Sequence, residues 1–233
     1  MLRQALVRIR SVVVENQLLG ALVVKPYLFA KGLAFSTSSD YWDKRYSRGG
    51  TSGPGSRGML AMYKAKYIND FVQRHDVSTV VELGSGDGYQ LALLDVDTYL
   101  GVDVSPQAVA LCRERFAEDP SKRFELLDQY RPDRSFDLAL SLDVIFHLVE
   151  DEVFESYMAT LFASASRYVV VYSSDRDTQD AAQEPHVRHR AYSTWIKENA
   201  PEWSVLDHAS NPHTFQGDWM SGSFANFTAF VRE

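Results

Sequence analysis

The stretch VVELGSGDGYQ, residues 80–90, runs a β-branched segment ending on Glu82 into three glycines at alternate positions, Gly84, Gly86 and Gly88. A strand that feeds a glycine turn lets backbone approach a bound molecule closely. A dinucleotide site would show G-x-G-x-x-G, with a helix N-terminus free to receive a pyrophosphate. Here the spacing is G-x-G-x-G, and a carboxylate stands at the strand end. Glu82 repels a phosphate and suits a cationic ligand, such as one carrying an ammonium and a sulfonium.

Outward from this turn, strand and helix patterns alternate. A helical stretch at 59–72 precedes the strand TVVEL, a helix is expected at 89–94, and the strand YLGVDV leads into a helix that Ser105 caps and Pro106 opens. The strands FELL and FDLALSL follow, then a helix over 151–164, the strand YVVVYSS, a helix near 190–199 and the closing strands WSVLDHA and FANFTAFVR. Such alternation predicts a doubly wound α/β sheet of Rossmann-like type, whose ligands sit at the carboxyl ends of the strands where the strand order reverses. Asp103 ends the second strand, where a carboxylate accepts both hydroxyls of a ribose. Asp128, in FELLDQY, is placed to accept from an adenine amine, with Gln129 beside it.

At 233 residues the chain suits one large domain, divided here into 1–58, an N-terminal helix and glycine-rich lid, and 59–233, the sheet domain. The balance of 24 Lys+Arg against 31 Asp+Glu disfavours a nucleic-acid partner. The single Cys112 forms no internal disulfide and reads as a small buried apolar group in a protein of the reducing cytosol. The apolar run at 18–24 is far short of the ~20 residues that span a bilayer, and Glu15 breaks any signal-peptide core. Leu2, Leu6, Ile9 and Val13 instead mark an amphipathic helix that packs on the domain or on a second subunit, as in a homodimer, with membrane-surface contact as the other reading. SRGGTSGPGSRG, residues 47–58, reads as a mobile lid because no strand feeds it.

VVELGSGDG, YLGVDVS, LLDQ and FDLALSLDVIFHL together resemble the successive motifs of class I S-adenosylmethionine-dependent methyltransferases. That resemblance implies a seven-stranded sheet with an antiparallel last strand, S-adenosylmethionine as cofactor, and Glu82, Gly84, Gly86, Asp103, Asp128 and Gln129 as its contacts. The D/N-P-P-Y/F run of exocyclic-amine methylases is missing, since Ser141-Leu142-Asp143-Val144 stands there, and Cys112 follows Leu111 rather than a proline. An oxygen nucleophile is the better expectation.

The flanks SDYWDKRYSRGG and HVRHRAYSTWIKENAPEW resemble a bacterial subgroup associated with glycan and polysaccharide clusters, which implies a sugar or glycan-like acceptor. His186, Arg188, His189 and Arg190 supply forked donors and imidazoles suited to hydroxyl-rich acceptors, and Tyr41, Trp42, Tyr46 and Trp219 are aromatics able to stack on a sugar face. His147, just past strand four, is the candidate general base, with Asp143 one turn before it. Two alternatives stay open. Asp143 and Asp175 stand where a divalent cation such as Mg²⁺ would sit in a metal-assisted reaction, and a non-catalytic subunit would keep the fold for partner binding alone.

Overall fold

The computed structural model describes residues 35–133, 135–180, 183–218 and 220–233. The expected N-terminal amphipathic helix and Trp219 lie outside the described residues.

Seven strands form one sheet: β1 (Thr79–Leu83), β2 (Thr98–Asp103), β3 (Lys122–Leu126), β4 (Phe136–Leu142), β5 (Ala165–Ser173), β6 (Trp203–Ala209) and β7 (Asn226–Arg232). Their order is β3-β2-β1-β4-β5-β7-β6, with β7 antiparallel to both neighbours and the other pairs parallel. The order reverses between β1 and β4, so the crevice for a ligand opens above their carboxyl ends.

Among the described residues five helices accompany the sheet: α1 (Ser38–Ser47), α2 (Gly58–Arg74), α3 (Pro106–Arg115), α4 (Asp151–Ser164) and α5 (Tyr192–Asn199). Alternate residues of the central strands feed two cores. Val80, Leu138, Leu140 and Val170 pack with Ile68 and Phe71 of α2 and Val109 and Cys112 of α3. Val81, Ala139, Val169 and Val171 pack instead with Met158 and Leu161 of α4 and Trp195 of α5. Burial on both faces explains why these strands read as near-continuous apolar runs.

Ser105 caps α3 as its position suggests, its side chain accepting from the Ala108 amide. The helix expected at 89–94 is only a 3-10 turn, Leu91–Leu93. Asn69 of α2 ends it by donating to Leu93 O at 3.1 Å and accepting from Asp95 N at 2.9 Å, which leaves no length for another turn before β2.

Gly84, Gly86 and Gly88 all adopt left-handed backbone, with φ of 90°, 59° and 70°. A Cβ on Gly84 would stand 2.4 Å from Val144 Cγ2, just after β4. Gly84→Ala is therefore expected to combine a left-handed penalty of about 1–2 kcal/mol with overpacking of about 1–3 kcal/mol. Urea unfolding should show a loss of roughly 2–5 kcal/mol by that sum.

Candidate active site

A cavity of about 600 Å³ lies over the carboxyl ends of β1 to β4. Glu82 lines it from β1 and Gly84, Ser85 and Gly86 from the turn after it, Asp103 from the end of β2 and Val104 from just beyond, Asp128 from beyond β3, and Asp143, Val144 and His147 from beyond β4. Trp42 and Tyr46 of α1 and Lys64 of α2 complete the wall. Three sequence positions far apart thus bring Glu82, Asp103 and Asp143 to one space.

Glu82 is 2% exposed, and the Tyr99 hydroxyl donates to its Oε2 at 2.5 Å. Burial pushes its carboxyl up to about 7, against the Tyr99 bond and the charge of Lys64, which both pull it down. Asp103 accepts from the Gly86 amide at 2.9 Å and from the Ser105 amide at 2.9 Å. Burial raises its carboxyl as well, opposed by these amides. Asp128 reaches the wall from an exposed position just after β3, whereas Gln129 is exposed and off the wall.

The segment read as a mobile lid is tied down. Asp87, inside the glycine turn, accepts from Ser52 N at 3.2 Å and Arg57 Nη2 at 2.5 Å, while the Asp87 amide donates to Ser52 Oγ at 3.0 Å. Burial alone would raise the Asp87 carboxyl, but Arg57 and the Ser52 amide hold it below the usual range. α1 is anchored at two points: Ser38 Oγ at its start donates to Glu150 at 2.5 Å, and Ser105 Oγ donates to Asp43 at its middle at 2.8 Å. The helix and the loop after it cover the cavity.

His147 sits on a 3-10 turn, Ile145–His147, and its Nδ1 donates to His186 O at 2.9 Å. That bond fixes the tautomer of the neutral ring and leaves the Nε2 lone pair unprotonated. Trp42 meets the ring edge-on at 4.9 Å. Burial lowers the imidazole to about 4, against the His186 carbonyl and Asp143, which raise it.

The HVRHR segment serves a different neighbourhood from the one its donors suggest, and none of its residues lines the cavity. Arg190 donates to Leu148 O at 2.9 Å and Val149 O at 2.8 Å and pairs with Asp151. Arg188 donates to Val149 O at 2.8 Å and pairs with Asp151 at 2.9 Å. His189 is buried against Ser174 and Arg176. Arg188 and Arg190 together fix the loop that carries His147 into α4. His186 stacks on Tyr41 at 4.1 Å and so lies behind His147 rather than on the wall.

Asp143 and Asp175 are not brought together on the cavity wall. Asp175 is exposed and accepts from the Ser193 amide at 3.1 Å, whereas Asp143 Oδ2 receives Lys64 Nζ at 2.6 Å. Among the described residues no three His, Cys, Asp or Glu side chains converge as a metal site.

Lys64 is the residue that motif reading missed. It stands on the buried stripe of α2 with Leu60, Ala61, Ala65, Ile68 and Phe71, a position that helical spacing alone would have marked. Asp87 was equally open to notice, as the only charge within the glycine turn.

A family model described as a methyltransferase domain matches residues 81–170. Among solved structures, the N-methyltransferase NodS from Bradyrhizobium japonicum superposes with a TM-score of 0.65 at 13% identity, over 84% of this chain and 99% of its own. Magnesium protoporphyrin IX methyltransferase from Synechocystis gives a TM-score of 0.60 at 13% identity, over 83% and 97%. An amino pentose methyltransferase from Micromonospora echinaspora gives 0.55 at 14% identity, over 76% and 94%. No curated protein matches the chain. Residues 81–170 thus match a methyltransferase domain, and the seven-stranded fold is the one that these methyltransferase structures share.

Because the folded pKa of Glu82 is raised from 4.5 to about 7, the folded state holds a proton that the unfolded chain has lost, and stability falls as pH rises across that window. His147 works in the opposite sense, its contribution being present above the unfolded value of 6.5 and lost as pH falls toward about 4. Glu82→Gln retains an acceptor for Tyr99 and removes the first effect. Urea unfolding should show it gaining on the order of 2–3 kcal/mol over the parent between pH 5 and pH 8.

Proposed function

We propose that the protein transfers a methyl group from S-adenosylmethionine to a hydroxyl of a sugar, oligosaccharide or glycan-like small molecule, with His147 as general base. The observation that carries this reading is the His147 tautomer: with Nδ1 donating to His186 O, Nε2 is the acceptor left to face a substrate proton. An alcohol needs such an acceptor as its oxygen attacks; an unprotonated amine does not.

The residues fit the cofactor. A cavity of about 600 Å³ lies in the range of small-molecule sites, and Ser85 Oγ and Gln90 Oε1 on its wall are buried without a hydrogen-bond partner. S-adenosylmethionine, when bound, supplies a methyl group made electrophilic by its sulfonium. Asp103 would accept from the ribose hydroxyls, Asp128 would meet the adenine edge, and Glu82 would face positive charge. Lys64 and Asp143 lie on the same wall.

In-line displacement draws most of its acceleration from alignment. α1 and the loop over 47–58 would supply that by closing the cavity, with Trp42 offering a stacking face for a sugar beside His147. An imidazole lowered to about 4 is neutral throughout the physiological range, so proton removal would occur late, as the attacking oxygen acidifies. The amino pentose methyltransferase among the structural neighbours supports a sugar acceptor. The covered cavity and the acidic total, 31 Asp+Glu against 24 Lys+Arg, support a small acceptor over a nucleic acid.

S-adenosylhomocysteine is expected to raise the melting temperature, NAD to leave it unchanged, and Asp103→Ala to remove most of the shift. His147→Ala should lower kcat by roughly 10²-fold with cofactor affinity nearly unchanged. The ascending limb of kcat/KM should lie well below the pH 6.5 of a free imidazole, following the burial of the ring. A screen of mono- and oligosaccharides with labelled cofactor should find turnover that chelation does not alter. Full activity of His147→Ala would remove the base assignment, and loss of turnover on chelation would favour the metal-assisted reading.

A further inference from the structure

Lys64 is fully buried, and its ammonium borders the cavity rather than the solvent. An ammonium carries three donors. Among the described residues its one hydrogen-bond partner is Asp143, at 2.6 Å, with the Tyr172 ring centroid 5.5 Å away. Two of its donors thus have no hydrogen-bond partner among the described residues. A buried ion pair without further hydrogen bonds is a poor stabilising device, since desolvation of both charges offsets their attraction. Packing alone gives no reason for a lysine on this stripe of α2.

Asp143 is equally unusual. It takes left-handed backbone at φ 60°, where a non-glycine residue carries strain, and its amide is fixed by donating to Tyr172 O at 2.9 Å. Strain at a fixed position beside a cavity points to a task for the side chain. Ser85 Oγ and Gln90 Oε1, each buried and unpartnered on the same wall, show independently that this wall is made for polar atoms of a ligand. One fully buried positive group and one partly buried negative group, side by side, are the complement of a zwitterion.

We propose that Lys64 and Asp143 form a receptor for the zwitterionic amino-acid end of the cofactor, Lys64 donating to the carboxylate and Asp143 accepting from the ammonium. The assignment rests on the S-adenosylmethionine reading given above. It makes Lys64 a carboxylate-selecting residue. The ion pair between them serves as a placeholder that keeps both charges satisfied before the ligand arrives. The loop over 47–58 closes on the same spot, since a Cβ on Gly55 would lie 3.0 Å from Asp143 Oδ2.

The test is calorimetric and needs no acceptor. S-adenosylhomocysteine carries the amino-acid end and 5′-methylthioadenosine lacks it, while decarboxylated S-adenosylmethionine keeps only the ammonium. The parent protein should prefer S-adenosylmethionine to its decarboxylated form by about tenfold or more, as charge-assisted hydrogen bonds to a carboxylate require. Lys64→Met should erase that preference and weaken S-adenosylhomocysteine about tenfold or more while leaving 5′-methylthioadenosine unchanged. Lys64→Arg should retain part of the preference. If Lys64→Met fails to fold because Asp143 is left unpaired, Lys64→Met/Asp143→Asn removes both charges and should bind 5′-methylthioadenosine as the parent does, without selectivity for the carboxylate. Absence of selectivity in the parent, or equal weakening of all ligands in a folded variant, overturns the proposal. Failure of the parent to bind any of these ligands would instead overturn the cofactor reading itself.

Discussion

The bond from the Gly86 amide to the Asp103 carboxylate, 2.9 Å long, joins the turn after β1 to the end of β2, beside the β1–β4 crevice where the sheet's order reverses. The turn can present that amide because Gly84, Gly86 and Gly88 are all left-handed. The same turn is locked from behind by Cys112 Sγ, which donates to Gly86 O at 3.2 Å, and from the front by Ser52 and Arg57 through Asp87. Burial pushes the Cys112 thiol up to about 12, so it stays protonated and acts as a donor. Site, sheet and cover therefore share one piece of backbone.

Charge is handled differently at each carboxylate on this wall. Asp103 is held by amides, Glu82 by a phenol, and Asp143 by an ammonium. Only the last pairing cancels a full charge, which is why Glu82, the most deeply buried of the three, is the one whose burial carries it to about 7. A cationic ligand would favour its ionised form, so the wall is better matched to an occupied cavity than to an empty one. Such polar groups lower the stability of the isolated fold and are retained where function uses them.

The cover links the two halves of the site. α1 reaches Glu150 beyond β4 with Ser38, Ser105 beyond β2 with Asp43, and the glycine turn through the loop that follows it. Arg188 and Arg190 brace the far side of the same β4–α4 connection. The imidazole of His147 is held between these supports, with Trp42 on one side and the His186 carbonyl on the other. Its orientation depends on segments more than 100 residues apart, 42 and 147.

What the sequence determined by itself was local. Hydrophobic runs set β4, β6 and α4 at their observed bounds, Ser105 and Pro106 set the start of α3, and G-x-G-x-G after Glu82 set the ligand turn, because each of these follows from backbone sterics or burial of adjacent residues. Asp103, Asp128, Asp143 and His147 could be placed at the crevice for the same reason: each lies just at or beyond a strand end. Tertiary structure alone decided the rest. The 3-10 turn at Leu91–Leu93 is short because Asn69, distant in sequence, ends it. HVRHR braces a loop because its guanidinium groups find carbonyls of residues 148 and 149 within reach. Lys64 meets Asp143 because the buried stripe of α2 packs on β1 and β4, and no periodicity within α2 names that partner. Hydrogen-bond donors show their chemistry in sequence, but which acceptor each one meets is fixed only when the chain has folded.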